Sequence, residues 1–173
     1  FALTWVALNF DGKLPDGILI IFMFLMAIFG GGLWGSIPGL LKSRFGVNEI
    51  ITSLLLNYVA AAWLDHLLFG AWRDPNTNNF PITKEFSEAA QLPSFGNTSI
   101  HAGLIIAFIL VIIISLILWK TKIGYKIRLS GDNPNAARYS GVNIRKLTVL
   151  VFFISGAIAG LAGFCEVTGI HYR

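Results

Sequence analysis

Residues 120–146 read KTKIGYKIRLSGDNPNAARYSGVNIRK. This is the one long polar, basic run between two strongly apolar segments, and it holds seven of the chain's thirteen Lys and Arg against one acid, Asp132. A short helix carries its own punctuation inside it. Asn133 can cap a helix N-terminus, because its side-chain oxygen accepts from an otherwise orphaned backbone N–H. Pro134 suits the first helical position, where its missing N–H leaves nothing unpaired. Ala136, Ala137, Arg138 and Tyr139 continue the helix, and Gly141 can end it by taking a left-handed backbone. Gly131 stands just ahead of the cap. About two turns result, too few to be stable alone in water. Such a helix needs support from its own membrane domain, from a membrane surface or from a partner.

The surrounding sequence is apolar. Of 173 residues, 55% are hydrophobic and 13% charged, and the mean hydropathy is +0.70. A soluble domain carries about 25% charged residues. Crossing a hydrocarbon core of about 30 Å takes about 20 apolar residues. Four stretches meet that length, near 17–41, 50–69, 101–119 and 147–170. The expected fold is all-α, a polytopic transmembrane helical bundle with about four complete spans. The sequence pI of 9.4 does not call for nucleic acid, because the basic residues sit beside apolar spans. That placement is the positive-inside pattern. It puts 120–146 in the cytoplasm and 70–100 outside. The connection Lys42–Glu49, with Lys42 and Arg44, then falls inside, and the mildly acidic 11–16 falls outside.

The spans differ in character. In the first, Gly31, Gly35 and Gly39 recur every fourth residue and share one helix stripe. Small residues in that pattern let another helix approach closely in lipid, where van der Waals packing replaces the hydrophobic drive. Gly30, Gly31, Gly32 and Pro38 also weaken the helix, which leaves a kink or a break open there. The second span carries Thr52, Ser53, Asn57, Asp65 and His66. Asn57 lies about 10 Å into it at 1.5 Å per residue, and must find a partner in another helix or in a solute. Asp65 and His66 lie near the far interface, within reach of water.

The loop 70–100 is rich in Asn, Pro and Ser, with a surface helix expected near 82–91, begun by Thr83. Asn97, Thr98 and Ser99 fit a short glycosylation sequon. The third span is nearly pure aliphatic, suits a lipid-facing helix, and ends at the interfacial Trp119 and Lys120. The fourth carries the G-x-x-x-G pair Gly156 and Gly160, with Ser155 and Glu166 as polar members. Cys165, the one cysteine, excludes an internal disulfide and reads as packing.

Several chemistries are missing. There is no G-x-x-x-x-G-K-[ST] loop to cradle nucleotide phosphates. The three histidines and one cysteine show no metal-ligand spacing. No Ser, His and acid set stands out, and the intramembrane acids are too few and too peripheral for a proton path. What is left is passage of a solute, with energy supplied from elsewhere.

With those residues in view, 124–144, GYKIRLSGDNPNAARYSGVNI, resembles the cytoplasmic coupling segment of ABC importer permeases. The branch is the binding-protein-dependent one that includes ribose, galactose, branched-chain amino acid and nucleoside systems. Two further stretches match in family order. One runs from Gly39 through Arg44, Phe45, Gly46, Val47, Asn48 and Glu49 to Thr52, followed by Leu56, Asn57 and Tyr58. The other runs from Gly156 to Gly163, then Glu166, Val167 and Gly169. Both resemble the nucleoside and simple-sugar subgroup.

The resemblance implies that Gly131, Asn133, Pro134, Ala136, Ala137, Arg138, Tyr139 and Gly141 form the helix that docks on an ABC ATPase subunit. It implies a second permease subunit, an extracytoplasmic solute-binding protein meeting the 70–100 side, and residence in a bacterial plasma membrane. No cofactor is expected on this chain; ATP and Mg would bind the partner ATPase, so the chain is not itself an enzyme. Thr52, Ser53, Asn57 and Glu166 are candidates for lining the translocation path, and Gly31, Gly35, Gly39, Gly156 and Gly160 for helix packing. The chain begins at Phe1 without Met and reads as the middle and later part of a longer permease. The rival readings are a secondary transporter or channel, which calls for more ionisable groups at mid-membrane, and a membrane-embedded enzyme, for which Asp65 and His66 are a thin cluster.

Overall fold

The computed structural model describes residues 1–10, 12, 15–74, 82–87, 90–93 and 101–172. The helices are α1 (Ala2–Phe10), α2 (Asp16–Phe45), α3 (Glu49–Phe69), α4 (Gly103–Lys120), α5 (Lys122–Asp132), α6 (Pro134–Tyr139) and α7 (Ile144–Glu166), the last running into a π-helical turn, Val167–His171. No strand forms among the described residues. Four helical stretches are long and apolar enough to cross a membrane: Gly17–Phe45, Glu49–Phe69, Gly103–Lys120 and Ile144–His171. The chain is therefore an all-α, multi-pass helical bundle. The span ends move by a few residues from the sequence expectation because the caps decide them. Gly46, at φ +68°, ends α2 with its N–H on the Lys42 carbonyl at 3.0 Å. Asn143 starts α7 by accepting from the Lys146 N–H at 3.1 Å.

Neither the glycine run nor Pro38 interrupts α2, which is one continuous helix of 30 residues. The reason is its neighbour. α7 lies along the glycine face of α2 and supplies the contacts that glycine's weak helix propensity lacks. A Cβ on Gly35 would lie 2.8 Å from the Gly156 Cα, and one on Gly39 would lie 2.8 Å from the Phe152 Cβ. A Cβ on Gly160 would collide with the Ala27 carbonyl oxygen. The backbones approach as closely as side-chain-free positions allow.

The buried core sits at the end of this pair away from Lys42 and Arg44. Leu3, Val6 and Ala7 of α1 meet Leu19, Met23 and Ala27 of α2 and Phe164 of α7. Phe24 and Phe164 meet edge to face at 5.6 Å. Phe86, Ala90 and Leu92 complete the cluster from the long connection. The surface helix expected near 82–91 does not form over the described residues: 82–87 are irregular, and Ala90 lies in a 3₁₀ turn. The Phe86 N–H bonds instead to the Tyr172 carbonyl at 2.8 Å and the Leu92 N–H to the Thr168 carbonyl at 2.9 Å, in and just after the π-helical turn. Thr83, expected as a cap, is buried. The sequon at Asn97 lies outside the described residues.

Two helices stand apart. Thr52 is the one buried residue of α3, and Gly103 the one of α4. Their exposed leucines, isoleucines and aromatics suit lipid or further helices, not water.

Candidate functional site

Most of the chain's basic side chains gather where α2 ends, α3 starts, α4 ends and α7 starts, and α5 and α6 are built there. Read by charge alone, 120–146 is a loop; it holds two helices. Thr121 caps α5, accepting from the Gly124 N–H at 3.1 Å. Gly124 lets α5 turn back onto the end of α4, since a Cβ there would strike the Ile117 and Leu118 carbonyls. Arg128 reaches back over the Trp119 ring at 4.5 Å, a cation–π contact worth about 0.5–1 kcal/mol at exposed sites. The signal for α5 was present in the i, i+4 spacing of Ile123 and Ile127, but the surrounding charges hid it.

Asn133 ends α5 and begins α6. Its backbone is extended, and its Oδ1 accepts from the N–H groups of Asn135 at 3.0 Å and Ala136 at 3.1 Å. Pro134 follows at the first helical position. The other end closes with paired reverse bonds. Gly141, at φ +76°, gives its N–H to Arg138 at 3.0 Å, and the Val142 N–H reaches Ala137 at 3.0 Å. This is the Schellman arrangement, which satisfies the last carbonyls of a helix. α7 starts immediately afterwards from its own Asn143 cap, so little slack separates the two helices.

The faces of α6 divide sharply. Ala137 is fully buried against its own domain, whereas Tyr139 is 94% exposed. Arg138 is exposed beside it. A six-residue helix closed at both ends therefore offers a bare phenol and a guanidinium away from the bundle. Gly131, at the end of α5, is exposed with nothing near its missing Cβ.

The candidate path residues are not brought together. Thr52 is buried, but its hydroxyl bonds to the Asn48 carbonyl at 2.9 Å, and that of Ser53 bonds to Ile50 at 3.0 Å. Asn57 is exposed on α3. Glu166 stands across the molecule, 3.2 Å from His171, on the rim of an apolar groove of about 740 Å³ between α4 and α7. Sequence reading passed over Trp5, Trp34, Trp63 and Trp72, which line one cavity. No local pattern links positions so distant in the chain. Among the described residues no group of three or more His, Cys, Asp or Glu side chains could hold a metal ion.

Residues 2–172 match the family described as branched-chain amino acid transport system, permease component. The chain is 37% identical over 98% of its length to a glucose ABC transporter permease protein of Haloferax volcanii, covering 47% of that protein. It is 34% identical over 97% of its length to a guanosine ABC transporter permease protein of Bacillus subtilis, covering 48%. It is 31% identical over 92% of its length to a nucleoside ABC transporter permease protein of Lactococcus lactis, covering 46%. The chain thus spans about half the length of these relatives. No solved structure matches it.

Proposed function

We propose a function for this chain from one premise: it belongs to the family of permease components of branched-chain amino acid transport systems. It forms part of the membrane-spanning subunit of an ATP-driven ABC importer, carrying a nucleoside or a simple sugar through a cytoplasmic membrane. The guanosine, nucleoside and glucose permeases among its relatives support that substrate range. The single observation that carries the coupling role is α6, rigid at both ends, anchored by Ala137 and presenting Arg138 and Tyr139 outward.

In this reading the basic end faces the cytoplasm, where the positive-inside rule puts it, and 70–100 faces a solute-binding protein outside. ATP and its magnesium belong to partner ATPase subunits, and a second permease subunit completes the pathway. Closure of the ATPases pushes on Tyr139 and Arg138. The Schellman closure and the Asn143 cap pass that displacement into α7. The glycine contacts then oblige α2 to move with α7 as one body. Of the sequence candidates, Asn57 has a free face for solute, and Glu166 is placed for a contact near the outer end.

The test is crosslinking in the assembled transporter. Arg138→Cys and Tyr139→Cys are expected to form crosslinks to the ATPase that ATP weakens or strengthens, while bulky substitutions there uncouple solute uptake from ATP hydrolysis. If such variants keep both assembly and solute-dependent hydrolysis, the coupling assignment fails.

A further inference from the structure

Four of the chain's five tryptophans, Trp5, Trp34, Trp63 and Trp72, line one cavity of about 810 Å³. It opens between α1, α2, α3 and α7, beside the glycine contacts at Gly31 and Gly160. Small-molecule sites run to roughly 300–1,000 Å³, so the size fits. Interfacial anchoring explains tryptophans at helix ends. It does not explain Trp34, which lies roughly 16 Å from the Phe45 end of α2 and about 27 Å from its Asp16 end at 1.5 Å per residue. The Trp34 and Trp63 indoles are exposed within the described chain. Among the described residues lining this chamber no side chain carries a charge or a hydroxyl; its polar side-chain groups are indole N–H donors.

A second cavity, of about 420 Å³, adjoins it, and Trp5, Ala71 and Trp72 line both. Its character is different. Asn9, Arg73, Asp74 and Lys84 form its walls, at the end of the molecule away from the basic helices. A polar cavity therefore stands beside the aromatic chamber and shares three of its wall residues.

We propose that the two cavities form one binding site for a nucleoside, with the flat base among the tryptophans and the ribose in the polar cavity. This rests on the permease reading above and narrows its substrate to the nucleoside class. The chemistry separates the two candidate solutes. A hexose has no π-face and carries hydroxyls around its whole rim, so among the tryptophans it could offer only its C–H faces, without the stacking that a flat base gains. A nucleoside is divided like the site. Its base has a π-face that stacks on indole whatever its sequence of substituents, and its sugar hydroxyls find an amide, a guanidinium, a carboxylate and an ammonium in the polar cavity.

The experiment uses the complete transporter in proteoliposomes, with radiolabelled guanosine and glucose as probes. Trp34→Ala and Trp63→Ala are expected to raise the KM for guanosine about tenfold or more with a smaller change in kcat, and the Phe variants to restore most of it. Guanosine should also quench the tryptophan fluorescence saturably in the wild type and less in Trp34→Ala. Guanosine uptake with an unchanged KM in both Ala variants overturns the site while leaving the permease function standing. Glucose uptake without guanosine uptake in the wild type overturns the nucleoside assignment. Quenching by brominated lipid tails but not by guanosine shows that lipid fills the chamber, and overturns the proposal as well.

Discussion

Gly31 of α2 and Gly156 of α7 are reciprocal: a methyl group on either would collide with the carbonyl oxygen of the other. The two backbones are in contact with no side chain between them. In lipid, where apolar side chains gain little by leaving the solvent, such contact is a main source of helix pairing. Gly35 and Gly160 extend the same line.

Gly31→Ala and Gly156→Ala should therefore each separate the helices and destabilise the pair by about 1–3 kcal/mol, the usual range for overpacking. Gly163→Ala, about two turns from Gly156 on α7 with nothing within 4 Å of its missing Cβ, should be neutral or stabilise by up to about 1 kcal/mol through helix propensity. Thermal unfolding midpoints in one detergent distinguish these outcomes. Equal losses at all three positions would show that the contact line is not what holds the pair.

Asn133→Ala removes the acceptor for two backbone N–H groups at the start of α6. The expected loss is about 1 kcal/mol, local to that helix. Asn133→Asp should keep most of it. Amide exchange at Asn135 and Ala136 reads the effect directly, and both should exchange faster in the Ala variant alone.

Tyr139→Ala should leave the fold within about 0.5 kcal/mol of wild type, because the side chain touches almost nothing in its own domain. In the coupling role proposed above, its effect falls on the partner ATPase. Loss of an aromatic anchor from an interface centre commonly costs about 2 kcal/mol or more. Retention of the ATPase on an affinity column should fall while the melting curve stays in place.

Gly169→Ala tests the far end. A Cβ there would lie 2.5 Å from the His101 Nδ1, the atom that accepts from the Gly103 N–H at 3.1 Å. The substitution should destabilise the junction of α4 with the π-helical turn by about 1–3 kcal/mol. His101→Ala in the same chain should recover part of that, giving a coupling of about 0.5–3 kcal/mol between the two positions. Purely additive losses in the double variant would place the imidazole elsewhere.

Much of the molecule was legible in the linear order because its signals are local. Apolar runs gave four spans, and the run lengths match the hydrocarbon thickness. Asn133, Pro134 and Gly141 gave α6, since a cap is decided within a few residues of itself. Misreadings arose where distant contacts overruled local preference. Pro38 and the glycines look like helix breakers, yet α7 supports them. Thr83 looks like a helix start, yet its segment bonds to Thr168 and Tyr172. The charges around α5 look like a loop, yet Gly124 folds that helix onto α4.

The sequence by itself determined the class of molecule, its spans and the capped helix at its basic end, because hydropathy and capping act between near neighbours. Only the tertiary structure decided which glycine meets which. It alone put Ala137 inside and Tyr139 outside, and gathered Trp5, Trp34, Trp63 and Trp72 around one cavity. Those relations join residues tens of positions apart, and helix packing sets them, not any pattern along the chain.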